Sequence, residues 1–115
     1  MQMRHEFSYG DVTIEVFQRV CDGEQYHLKT DDGGTEWLFT ICTLDGTRYL
    51  QAYIRNVYEG PLEYTPWWQP LDTLTLDPAV CDVETAADFA AWMLKGYSFE
   101  RAMYNVTVQL DKPTW

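Results

Sequence analysis

Two histidines, three cysteines and eighteen acids are the side chains from which this 115-residue chain could build chemistry. Nucleophilic catalysis needs a Ser, Cys or Thr beside a positioned base. His5 and His27 are the only imidazoles, and Cys21 could meet His27 across a hairpin, yet neither stands in a nucleophile-type context. Cys21, Cys42 and Cys81 are far apart, odd in number and without a CxxC pair. They read as free thiols in a reducing cytoplasm rather than as disulfides or zinc ligands. Asp31-Asp32 before two glycines has the look of a calcium loop, but the alternating ligands and distal glutamate are missing, so a hairpin turn is expected there. No metal and no cofactor are expected.

Carboxylate pairs such as Glu59 with Glu63, or Asp82 with Glu84, have the residue types of a glycosidase acid–base pair. Eighteen acids make such pairs by chance, so a carboxylate-dependent hydrolase is the least favoured function and a non-enzymatic protein the more favoured one. Neither a GxGxxG nor a GKT/S string occurs. The eight bases are scattered and the net charge is −10, which disfavours direct contact with nucleic acid or an anionic membrane.

Between Arg55 and Lys95 there is no base at all, while Glu59, Glu63, Asp72, Asp77, Asp82, Glu84 and Asp88 fall inside that interval. The same interval holds Tyr64, Trp67 and Trp68, and aromatic residues make up 16% of the chain. Trp and Tyr are the residue types most enriched in interface hot spots, and carboxylates speed docking on a positive surface. The expected partner is therefore a basic protein, such as a nuclease or other nucleic-acid-binding protein, on which these acids stand in for phosphates. Anti-restriction, anti-CRISPR and nuclease-immunity proteins work in this physical style, an analogy of type alone. The bland competitor is a solvated acidic face that keeps the chain soluble, with both indoles folded onto the sheet. A second function is a small-molecule binding module whose aromatic pocket forms around Trp67 and Trp68, with Tyr58 and Tyr64. Self-association into a homodimer is also open, through a sheet edge or residues 97–110.

These side chains must be positioned by something, and the length fits one globular domain over residues 1–115. Residues 3–9 open as a strand. Val12, Ile14, Val16 and Val20 then alternate with polar residues, the period of a half-buried strand. Asp-Gly turns at 22–23, 32–33 and 45–46, at roughly ten-residue spacing, predict an antiparallel meander with strands at 25–30 and 35–44. Residues 47–58 fit both a helical stripe and a strand face, and their Tyr, Ile and Val content tilts them to a strand.

Four prolines predict a long irregular loop at about 59–81, with a short edge strand over 73–76. Asp82 is placed to cap a helix over 83–95 that Gly96 stops, and Ser98 a second helix over 99–104. Val106, Val108 and Leu110 alternate as a closing strand. The predicted fold class is α+β: a twisted antiparallel sheet of five to six strands, the N-terminal meander plus a C-terminal strand, with one or two helices packed on one face. No apolar run reaches signal-peptide or membrane-spanning length, so a cytoplasmic protein is expected.

Overall fold

Period-2 alternation dominates the first half of the chain, and the computed structural model, which describes residues 2–21, 23–31, 33–57, 67–75 and 82–114, turns it into strands. They are β1 (Gln2–Tyr9), β2 (Val12–Cys21), β3 (Gly23–Thr30), β4 (Thr35–Leu44), β5 (Thr47–Asn56) and β6 (Gln69–Thr75). Each pairs antiparallel with its chain neighbours, in the order β1-β2-β3-β4-β5-β6. The fold is therefore α+β, an open six-stranded meander with two helices, α1 (Val83–Leu94) and α2 (Phe99–Tyr104).

Turn chemistry sets the register. Asp45 and Gly46 both take positive φ, 53° and 78°, as a two-residue hairpin turn with the right-handed strand twist demands. Leu44 is thereby opposite Thr47 and every later β4–β5 pair is fixed. That resolves residues 47–56 as strand, with Leu50 and Ala52 buried on the inner face.

The inner face collects Ile14, Val16, Tyr26, Leu28, Trp37, Phe39 and Ile41, all buried. Helix α1 covers it. Asp82 Oδ1 accepts the Thr85 backbone N–H at 2.7 Å, satisfying one of the orphan donors of the first turn. Ala86, Ala87, Ala90 and Ala91 let the helix approach closely, and Phe89 fills the space between Phe39 and Phe99 with edge-to-face contacts at 5.1 and 5.0 Å. Met93 is only half-buried.

Two expectations need correction. Residues 106–110 form no closing strand: Asn105–Gln109 continue α2 as a wide π-type turn that ends at Leu110, whose φ is 56°. The backbone N–H groups of Leu110 and Asp111 both reach the Asn105 carbonyl. The buried apolar residues here are Ala102 and Val106, four apart, whereas Val108 and Leu110 are exposed. The pattern that governs this segment is thus the helical one, and the sheet's last edge is already occupied by β6. The second correction concerns the long loop. The edge strand expected over 73–76 is longer and starts earlier, at Gln69–Thr75, and includes Pro70, which lies opposite Tyr53 where the register shifts between Ala52 and Tyr53. An edge strand has an outward side on which a missing N–H costs no ladder bond. The rest of that loop, residues 58–66 and 76–81, lies outside the described residues.

Candidate functional site

Because directly opposed residues in an antiparallel sheet share a face, the register writes rows of side chains across the strands. On the outer face one row is ionic: Glu6, Glu15, Lys29, Glu36 and Arg55 stand opposite one another in turn. From Glu15 onward the signs alternate. The adjacent row is largely apolar: Arg4, Phe17, His27, Leu38, Tyr53 and Pro70. Both described helices lie on the other face, and among the described residues these rows are covered by their own side chains and by Trp68.

Glu36 is the centre of the ionic row and only 7% exposed. Arg55 Nε donates to its Oε2, Lys29 Nζ lies 3.8 Å from Oε1, and His27 Nε2 lies 3.5 Å from Oε2. Two fixed cations around one carboxylate satisfy the rule that buried charge must be paired. His27 Nε2 is buried without a hydrogen bond among the described residues, its 3.5 Å approach to Glu36 being long for one. Burial therefore lowers the imidazole pKa; Glu36 opposes that shift, and Lys29 and Arg55 reinforce it. Trp68 closes the cluster, with the Arg55 guanidinium 4.2 Å from its ring centroid and the His27 ring 5.6 Å away, edge-on. On the far side Lys29 Nζ stands 5.5 Å from the Phe17 ring.

The candidate contact residues fall into two groups. Trp67, Trp68 and Asp72 belong to the β6 edge. Trp67 is 83% exposed, and Trp68, its neighbour, is half-buried on Arg55. Asp72 stands opposite Ala52. Asp82, Glu84 and Asp88 lie on or at the cap of α1, which packs chiefly over β1, β2 and β3. Glu59, Glu63, Tyr64 and Asp77 lie outside the described residues, as do Tyr58 and Cys81.

The helix acids are not all idle surface charge. Asp82 caps α1, and Lys112, arriving from the C-terminal segment, bridges Glu84 and Asp88, with Asp88 Oδ2 at 2.8 Å. Asp88 is 4% exposed, and its Oδ1 accepts the Tyr9 hydroxyl at 2.6 Å. Hydrogen bonds to Asp88 and Glu84 raise the Lys112 pKa, and burial, reinforced by Asp88, raises that of Tyr9. The base-free interval in sequence is thus partly neutralised in space by a lysine 24 residues beyond Asp88. Sequence reasoning missed Lys112, Glu36 and Arg55 because no local pattern marks them.

The described residues bring no cysteine and histidine together on neighbouring register positions. Cys21 stands opposite Gly23 while His27 stands opposite Phe17, so the hairpin keeps the two apart. Cys42 is a free thiol beside the Tyr49 carbonyl. Among the described residues no group of three or more His, Cys, Asp or Glu is placed to hold a metal ion, and no helix is long and apolar enough to cross a membrane.

Fold and surface together define an α+β protein whose open sheet is covered by helices on one face and carries an ionic and aromatic platform on the other. Comparison with protein-family models, curated proteins and solved structures found no match to this chain.

Proposed function

We propose that this protein is a non-enzymatic interaction protein that docks on a basic, nucleic-acid-handling partner and occludes its site. The observation that carries the proposal is Trp67: a full indole, 83% exposed, at the head of an edge strand inside the base-free interval. Its neighbour is clamped on Arg55, so the backbone that presents it is held before any partner arrives, which lowers the entropy lost on docking. Charge supports the same view. Arg4 is engaged by Glu6 and Glu15, Lys29 and Arg55 by Glu36, and Lys112 by Glu84 and Asp88, so much of the scarce positive charge is spent internally. The surplus seen by a partner is negative.

A ligand pocket around the two tryptophans has less support, since Trp67 is open to solvent and Trp68 is already stacked on protein. The test is to capture the partner from the native host at low salt, then measure its affinity for native protein and for Trp67→Ala. A central tryptophan anchor is worth about 2 kcal/mol or more, so Trp67→Ala should weaken binding roughly 30-fold. Affinity should fall steeply with salt, and the partner's own nucleic acid should compete. Salt-independent binding, or unchanged affinity in Trp67→Ala, would overturn the proposal.

A further inference from the structure

The two edges of the sheet are built differently. At β6 the strand contains Pro70 and its pairing with β5 shifts register, two devices that discourage another chain from adding on. At β1 there is neither. Gln2–Tyr9 has no proline or glycine and pairs with β2 through eight unbroken positions, from Gln2 opposite Arg19 to Tyr9 opposite Val12. Its other side pairs with no described strand.

We infer that β1 is a homodimerisation edge, where two copies join antiparallel about a two-fold axis through His5 to make one continuous sheet. The inference is independent of the partner proposed above. A two-fold axis normal to the sheet preserves which face each side chain occupies, so residues of equal parity must meet. Centring the axis on Arg4 would set Arg4 against its own copy, and centring it on Glu6 would set Glu6 against itself. Like charges directly opposed are destabilising. Centring it on His5 sets Arg4 opposite Glu6 twice, Met3 opposite Phe7 twice and Gln2 opposite Ser8 twice. This register also uses nearly the whole strand.

Features of the isolated chain fit that arrangement. Glu6 stands directly opposite Glu15, a like-charge pair bridged by one guanidinium, Arg4, at 2.9 and 2.8 Å. The dimer brings each Glu6 a second arginine. Met3 is 51% exposed although it lies on the inner, helix-covered face of the sheet. In the dimer it meets Phe7 of the other copy. Phe7, Ser8 and Tyr9 at the end of β1 line a cleft of about 280 Å³ together with Glu84, Asp88, Lys112 and Pro113. The Met3 and Gln2 side chains of the second copy would arrive beside it.

The test is sedimentation of the purified chain over a wide concentration range, with reciprocal charge reversal. Native protein should show a monomer–dimer equilibrium. Arg4→Glu and Glu6→Arg should each weaken it about tenfold or more, and the double variant Arg4→Glu/Glu6→Arg should restore it. His5→Cys should form an intermolecular disulfide on mild oxidation, since the axis places the two copies of residue 5 face to face. All these positions but half-buried His5 are exposed, and unchanged circular dichroism separates association from misfolding. A strictly monomeric native protein, a dimer indifferent to both reversals, or a double variant no better than the singles would overturn the inference.

Discussion

The two faces of the sheet solve burial by opposite means. On the inner face Ile14, Leu28, Trp37 and Phe39 are covered by a separate element, α1, whose alanines allow close approach and whose Phe89 interlocks with Phe39. On the outer face no described helix lies over Glu36, which is 7% exposed with Arg55, Lys29 and His27 gathered round it and Trp68 stacked on Arg55. Non-directional apolar area holds the first face together. Directional pairing holds the second, and the two should therefore fail differently.

The largest loss belongs to the inner face. Phe39→Ala should destabilise by about 3–5 kcal/mol in urea unfolding, because the ring's transfer energy is lost and a cavity is left against Phe89. A cost near 1 kcal/mol would show that α1 does not depend on this contact. Next comes the outer cluster. Glu36→Ala strands Arg55 and Lys29 without their carboxylate and should cost about 3 kcal/mol, whereas Glu36→Leu with Arg55→Leu should recover most of that loss. If the double variant is as poor as the single one, the cluster's role lies in packing rather than in charge pairing.

A pH effect sharpens the contrast further, because His27 belongs to the outer cluster. The folded-state pKa of His27 is depressed, chiefly by burial. Between that value and the ordinary value of about 6.5 the unfolded chain binds a proton that the folded chain refuses. Stability should therefore fall as pH drops through this window and be insensitive to His27 above it. Thermal melts of His27→Gln should show a shallower decline over the same range; parallel declines would remove His27 from the account. The smallest effect is at the edge. Trp67→Ala should alter stability by no more than about 0.5 kcal/mol, as for exposed positions generally, while Trp68→Ala should cost about 1 kcal/mol through its contact with Arg55.

Much of the scaffold was legible from local pattern. The alternation at 12–20 and 35–44, the Asp45-Gly46 turn and the Asp82 and Ser98 caps each mark an element where it is found, since strand period and cap geometry are read within a few residues. Residues 106–110 misled because Val106, Val108 and Leu110 alternate in type while Phe99, Ala102, Met103 and Val106 carry the helical spacing that packing obeyed. At 69–75 the presence of Pro70 masked the start of a strand expected only over 73–76, since an edge position that tolerates proline is a property of the sheet and not of the segment. The candidate site was legible in kind but not in arrangement. Trp67 proved to be the exposed member of its pair, whereas Asp82 and Asp88 turned out to serve the helix and its C-terminal clasp as well.

By itself, then, the sequence determined the meander, the capped helices, the surplus of negative charge and the presence of tryptophans at its centre. Those follow from short-range rules: residue period, turn conformers and simple counts. Only the tertiary structure decided which charges meet. Register alone sets Lys29, Glu36 and Arg55 in one row, and only chain folding carries Lys112 back to Asp88. Pairing across strands and helices depends on distances that no local pattern encodes, and it is this pairing that leaves Trp68 fixed on the protein and Trp67 free for something else.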